Sequence, residues 1–228
     1  MRRTIVIGDI HGCFDELSDL LRFVKLKKND RVIAVGDLIA KGPKSRDVLD
    51  LFIDDPRFSS VVGNYDREIR HSLRGEPVKL TPSQQRALSQ LESNRDRYAA
   101  YLQSLPYMID LGSHLIVHAG VRPGVPLKRQ MASDMTTLRT MGANPSSKRG
   151  VPWYKIYRGR KIILFGHWPS AKPRIAARAI GLDTGCVYGG HLTAYIIESK
   201  EIVSVPARRV YERVQSAARD DHFDRRRR

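Results

Sequence analysis

The sequence predicts a single α/β domain in which the ends of buried strands carry the polar chemistry. Three observations predict it. Short apolar runs recur, each ending in Gly, Asp or His; amphipathic helical patterns lie between them; and 228 residues suit one compact domain better than two small ones.

The elements follow in order. Thr4–Ile7, Arg31–Val35, Ser60–Val62, His114–Val117 and Lys161–Phe165 read as buried strands, because each is a brief apolar run too short for a helix. After the first, Phe14, Leu17, Leu20, Leu21 and Val24 share one face at a period of about 3.6 residues. Val48, Leu49, Leu51 and Phe52 repeat that pattern. Thr81–Pro82–Ser83 is a helix-entry signal, opening a polar helical insertion to Leu105 that offers Leu88, Leu91, Tyr98, Tyr101 and Leu102 for packing over the sheet. Gly142–Gly150 is a turn-rich loop, and beyond it Ile180–Leu182, Leu192–Glu198 and Glu201–Val205 alternate like antiparallel strands or a hairpin. The domain is read as residues 1–206, with 207–228 as a basic, flexible tail that small-substrate catalysis does not need.

Composition narrows the class. No apolar run is long enough to span a bilayer, and Met1–Arg2–Arg3 leads into Thr4–Ile7 without a small-residue cleavage site, so the chain reads as soluble and cytoplasmic. Cys13 and Cys186 form no CxxC pair, and free thiols in a reducing compartment are the simpler reading. Lys and Arg total 40 against 24 acids, a net +16, which favours an anionic partner or substrate. The segment from Ala207 contributes +4, from eight arginines and four acids, and leaves +12 on the body. A solvated basic surface is the ordinary explanation; nucleic acid held by that surface and the tail is the sharper one.

The motifs carry the chemistry. Gly8–Asp9–Ile10–His11–Gly12 follows the first strand, and a continuing strand would turn Asp9 and His11 to the same side, a carboxylate and an imidazole suited to a metal. Gly36–Asp37 and Gly63–Asn64–Tyr65–Asp66 follow the next two strands. At the carboxyl ends of neighbouring parallel strands such residues converge on one crevice. His118, before Ala119–Gly120, and His167, after Gly166, end two later strands in the same manner.

The ordered series GDIHG, GDLIAKG, GNYD, HAG and GHW, followed by GLDTGCVYGG, resembles the phosphoprotein phosphatase branch of the calcineurin-like metallophosphoesterases over residues 4 to about 206. Ala40, in GDLIAKGP, stands where protein phosphatases carry Asp. With GHW and DTGCVYGG it makes the chain similar to the symmetrical bis(5′-nucleosyl)-tetraphosphatases and related bacterial phosphatases. The resemblance implies a β-sheet sandwich flanked by helices, with a metal site at the strand ends. It also implies two divalent ions: Asp9, His11 and Asp37 hold one, and Asp37, Asn64, His118 and His167 hold the other, Asp37 bridging. Mixed Asp, Asn and His donors suit Mn²⁺ or Fe²⁺, with Zn²⁺, Ni²⁺ and Co²⁺ as alternatives.

Cationic side chains on the phosphate are a further family feature. Lys41 replaces the usual Arg, giving a point charge instead of a fork, and Arg139 is chosen as the second cation over Arg149 and Arg158. Tyr65 is the main departure: the family carries a His there that protonates the leaving group with help from the following acid, here Asp66. A phenol is protonated at neutral pH yet poorly matched to general acid work. His191 is an alternative proton donor, with an exposed turn as its plainer reading.

The expected activity is hydrolysis of phosphoesters or phosphoanhydrides by direct attack of a metal-bound hydroxide, on nucleotides such as diadenosine tetraphosphate. A Ser/Thr or Tyr protein phosphatase is the rival enzyme. A weakly active phosphate- or RNA-binding relative is the rival from another class, and Tyr65 is what favours it.

Overall fold

A computed structural model of the chain describes residues 2–213. The chain opens on β1 (Thr4–Ile7), turns into α1 (Phe14–Phe23), and continues through β2 (Arg31–Ala34), α2 (Ser45–Asp54), β3 (Phe58–Ser60) and α3 (Asn64–Leu73). Two helices, α4 (Pro82–Leu91) and α5 (Arg95–Ser104), precede β4 (Met108–Asp110) and β5 (His114–Val117). Four short elements follow: α6 (Ala132–Thr137), β6 (Thr140–Met141), β7 (Val151–Pro152) and α7 (Trp153–Ile156). Then come β8 (Ile162–Phe165), β9 (Arg174–Ala176), β10 (Ala179–Gly181), β11 (His191–Ile196) and β12 (Glu201–Pro206).

Two five-stranded mixed sheets result, ordered β12-β11-β1-β2-β3 and β4-β5-β8-β10-β9. In the first, β1, β2 and β3 run parallel while β11 closes antiparallel on β1, Ile5 opposite Ile196. In the second, β5, β8 and β10 run parallel between antiparallel edges. Val6 and Ile33 of the first sheet, with Val35 and Val61 just past its strands, share one buried cluster with Ile116 and Leu164 of the second and Leu182 just past β10. The alternate residues pack outward: Ile5, Ile7, Val32 and Ala34 join Leu17, Leu20, Val48 and Leu49 of α1 and α2, while Leu115, Val117, Ile163 and Phe165 join Trp153. Both faces of these strands are covered, which is why their sequences run apolar without alternation.

The helical insertion is two helices joined by a turn of 3₁₀ helix at Glu92–Asn94. Its entry signal works as a capping box: Thr81 N–H donates to Gln84 Oε1 at 2.8 Å, Gln84 N–H donates back to Thr81 Oγ1 at 3.4 Å, and Pro82 takes a position that needs no donor. The insertion packs on α2 and α3, with Leu91, Tyr98 and Leu102 in their core, and so covers helices more than sheet.

Beyond Pro206 the chain stays on the body. Ala207 N–H donates to Gly190 O at 2.8 Å, and Arg208 N–H and the Tyr211 hydroxyl both donate to Glu16 Oε1 of α1, at 2.8 and 2.7 Å. Residues 207–213 are therefore laid along α1; the rest of the expected tail, 214–228, lies outside the described residues. No helix among the described residues is long and apolar enough to cross a membrane.

Candidate active site

The candidate ligands follow parallel strands. Asp9 and His11 come after β1, Asp37 after β2, Asn64 at the head of α3 after β3, His118 directly after β5 and His167 after β8. The structure brings all of them into one crevice where the two sheets meet. His167 N–H donates to both oxygens of Asp9 at 3.1 Å. Asp37 Oδ2 lies 3.4 Å from His11 Nε2 and 3.6 Å from His118 Nε2. Asn64 Oδ1 lies 3.0 Å from His118 Nε2 and 2.9 Å from His167 Nδ1. Donor atoms of Asp9, Asp37 and His118 fall within 4.8 Å of one another.

The local backbone is unusual for a reason. His11, Asp37 and His167 have φ of 49°, 50° and 66°, a left-handed conformation that side chains other than glycine rarely adopt. Such residues cost about 1–3 kcal/mol each and persist where neighbours hold them. Here Ile10 and His11 N–H both donate to Asp37 O, at 3.2 and 2.7 Å, and Gly12 N–H donates to Leu38 O at 2.8 Å. The expectation that strand alternation turns Asp9 and His11 to one side is thus corrected: β1 stops at Ile7, and a tight turn brings His11 round. Glycines beside the carboxylates answer to close approach. A Cβ on Gly166 would sit 1.8 Å from Asp9 Oδ1, and one on Gly63 2.1 Å from Asp37 Oδ1.

The donor set fits a cation. His118 Nδ1 donates to Val35 O at 2.9 Å, so its Nε2 carries a bare lone pair, yet that nitrogen faces Asn64 Oδ1 and Asp37 Oδ2. Acceptors facing acceptors in a buried site are unfavourable until a positive charge lies among them. His11 shows the same logic with a stand-in: its Nδ1 faces Ile39 O at 3.2 Å, and Lys41 Nζ donates to its Nε2 at 2.8 Å. Burial holds His11 and His167 well below the ordinary imidazole range and pushes His118 down to about 4, leaving each neutral and able to ligate. Burial, with the charges of Asp183 and Asp37 next, raises Asp9 well above the carboxylate range. Asp37 is pushed up to about 7, chiefly by burial and against the pull of Lys41. A crowd of desolvated carboxylates is what divalent ions relieve.

The other predicted residues are placed as follows. Lys41 Nζ sits 4.0 Å above the Tyr65 ring and 5.3 Å from that of Tyr188. The Tyr65 ring stands edge-on to His11 at 5.2 Å, and burial raises its phenol further above neutral pH. Asp66 is buried, and its carboxylate accepts N–H bonds from Leu38 and Gly63 at 3.0 Å each and from Ile39 at 3.4 Å. Those bonds pin two ligand loops to the start of α3 and run to backbone, not to the phenol. Arg139 is half-buried, donates Nη1 to Ser146 O at 2.9 Å, and its charge adds, after burial and His118, to the lowering of His167. Arg149 is exposed, and Arg158, also exposed, is occupied with the carbonyls of Lys155 and Tyr157. His191 is exposed at the head of β11.

Asp183 is a candidate site residue that the strand-end motifs leave out. It follows β10, is buried, accepts from Gly185 N–H at 3.0 Å, and its charge is felt at Asp9. The signal was the one used elsewhere, an apolar strand ending in an acid.

A family model for calcineurin-like phosphoesterases matches residues 2–211. The asymmetrical bis(5′-nucleosyl)-tetraphosphatase PrpE of Anoxybacillus flavithermus is 30% identical over 90% of this chain and 95% of its own. The symmetrical bis(5′-nucleosyl)-tetraphosphatase of Vibrio parahaemolyticus is 28% identical over 90% and 98%. The crystal structure of a candidate diadenosine tetraphosphatase superposes with a TM-score of 0.77 at 34% identity, covering 90% of this chain and 93% of that one. A protein serine/threonine phosphatase from Saccharomyces cerevisiae, at 17% identity and a TM-score of 0.62, shares the fold. Strand-end ligands, a sandwich that gathers them and a match along nearly the whole length agree: the chain belongs to the calcineurin-like phosphoesterases, and is a metal-dependent hydrolase.

Proposed function

We propose that the chain hydrolyses phosphoanhydride bonds in dinucleoside polyphosphates such as diadenosine tetraphosphate. The observation that carries this reading is the bare His118 Nε2 facing two further acceptors, Asn64 Oδ1 and Asp37 Oδ2, in a crevice where the Lys41 ammonium touches His11. The relatives' substrates support the nucleotide. Asp9, His11 and Asp37 would hold one ion, and Asp37, Asn64, His118 and His167 the second, Mn²⁺ or Fe²⁺ by donor type. Ions held by these residues would supply a nucleophilic water at neutral pH and neutralise phosphoryl oxygens. Lys41 would meet the phosphate as a movable charge, and Arg139, whose Nη1 is held by Ser146 O, as the second cation. Asp66 fixes the loops that carry Asp37 and Asn64. Tyr65 donates a hydrogen bond to the leaving side, which suffices where a phosphate leaves and falls short where an alkoxide does. Buried free thiols at Cys13 and Cys186 agree with a cytoplasmic setting.

Tyr65 also favours a second reading, a phosphate-binding relative with little turnover. Metal analysis of the purified chain, joined to turnover of nitrophenyl phosphate and of diadenosine tetraphosphate with Mn²⁺, separates the two. Hydrolysis of the dinucleotide is expected, and chromatography of the products gives the cleavage position: two ADP for symmetrical, ATP with AMP for asymmetrical. Bound metal without turnover of either compound would overturn the enzyme reading.

A further inference from the structure

A cleft of about 390 Å³ opens beside Lys41, within the range of small-ligand sites. Its walls are Lys41 and Gln90 with Arg86 of α4, and Arg209, Val210 and Tyr211 from the segment past β12. Among the described residues three of those that line it, Lys41, Arg86 and Arg209, are cationic, and none is acidic. Lys41 belongs to both places, since its ammonium also touches His11 in the metal crevice.

The wall formed by residues 209–211 is a built one. Glu16 of α1 is fully buried and takes both the Arg208 N–H and the Tyr211 hydroxyl on one oxygen. Tyr211 and Glu212 N–H donate to Val187 O at 3.0 Å, and Gly189 leaves room for Val210, whose Cγ2 would lie 2.7 Å from a Cβ there. The segment is held from three sides, and the Arg209 guanidinium rests 5.0 Å from the Tyr211 ring centre. Arg86 also reaches Glu212, next to Tyr211, at 3.3 Å, an exposed pair that is weak and easily exchanged for a better anion.

We propose that this cleft binds the part of a polyphosphate substrate that does not react: Arg86 and Arg209 clamp its distal phosphates, and Val210 with Tyr211 provide the apolar wall for its nucleoside. The inference rests on the hydrolase reading above and names what selects the substrate. Guanidinium groups match phosphate oxygens in pairs, so two arginines beyond Lys41 prefer a chain of phosphates to a lone one. Aryl phosphates are too short to use them. A clamp that binds remote phosphates acts mainly through KM, with kcat set at the metal crevice.

The test compares kcat/KM for diadenosine tetraphosphate with that for nitrophenyl phosphate, in Mn²⁺, for wild type, Arg86→Gln, Arg209→Gln and the double variant. The ratio of the two constants is expected to fall tenfold or more in the double variant, through KM of the dinucleotide. Glu212→Gln, which releases Arg86, is expected to raise it. An unchanged ratio in the double variant overturns the clamp, while absence of turnover in wild type overturns the underlying reading instead. In that event calorimetry with diadenosine tetraphosphate on the Mn²⁺-loaded chain still decides the clamp: weaker binding by the double variant sustains it, and equal binding ends it.

Discussion

Tyr65 stands where the resemblance expects a proton-donating His. Its phenol is half-buried against His11 and Lys41, and burial makes it a weaker acid than free tyrosine. Proton donation matters in proportion to leaving-group basicity, so the rate should fall steeply from nitrophenyl to alkyl phosphates. Tyr65→His should flatten that slope, with a gain on the order of 10²–10⁴ for alkyl esters and much less for anhydrides. If the wild-type slope is shallow and steepens only in His191→Ala, His191 is the donor and this account of Tyr65 fails. Asp37 is the other residue on which much turns. Its Oδ2 faces histidines from both sheets, and its Oδ1 accepts Tyr65 N–H at 2.9 Å. Asp37→Asn should therefore lower bound metal at both positions and reduce turnover at least 100-fold, on the order of a lost metal-centred activation. Elemental analysis alongside kinetics checks it; full metal content in the variant would remove Asp37 from the proposed ligand set.

Among the elements, the strands were the most legible and the short connecting pieces the least. Val32–Ile33–Ala34 and Leu115–Ile116–Val117 are buried on both sides, so their apolar runs announce strands without alternation. β3 sits at Phe58–Ser60 and not at Ser60–Val62, because its ladder partners on β2 begin at Val32, leaving Val61 and Val62 to carry the chain inward. α3 is hard to see in the sequence because its first residues, Asn64–Tyr65–Asp66, serve the site as well as the helix; Asp66 accepting from Gly63 N–H is its capping signal. α6 and α7 are too short for any period to appear. The β1–β2 connection gives a pH test. Asp30 is buried, accepts from Lys27 N–H at 2.8 Å and Arg3 Nε at 3.2 Å, and the Arg3 guanidinium holds it below the usual carboxylate range. A depressed carboxylate adds stability above its unfolded value of about 3.9, and that contribution is lost as pH falls through the folded value. Asp30→Asn should lower Tm by about 3–6 °C at pH 6–7, and the gap to wild type should close below about pH 4. Parallel melting curves from pH 3 to 7 check it, and a gap that stays constant would mean the ion pair contributes nothing.

At the scale of the whole molecule, the structure joins what the sequence separated, because residues read as the start of a tail form a wall of the cleft. Hydropathy did not show this: Arg208, Arg209 and Arg213 look like a solvated charge run, and it is the buried Glu16 on α1, with the Val187 and Gly190 carbonyls, that gives the segment fixed partners. A truncation series therefore has two distinct steps. Ending the chain at Arg213 removes five arginines and three acids, a net +2 of the +16, and no contact among the described residues. Tm and aryl phosphatase activity should stay as they are, while RNA binding, if any is present at low salt, should weaken. Ending it at Pro206 takes away both hydrogen-bond partners of Glu16 Oε1 and the Arg208–Asp19 contacts at 2.9–3.1 Å. Loss of partners for a buried carboxylate should lower Tm by about 2–6 °C. The preference for diadenosine tetraphosphate over nitrophenyl phosphate should fall with it, since Arg209 and Tyr211 leave the cleft. If the shorter chain keeps both its Tm and its preference, residues 207–213 neither brace α1 nor wall the cleft.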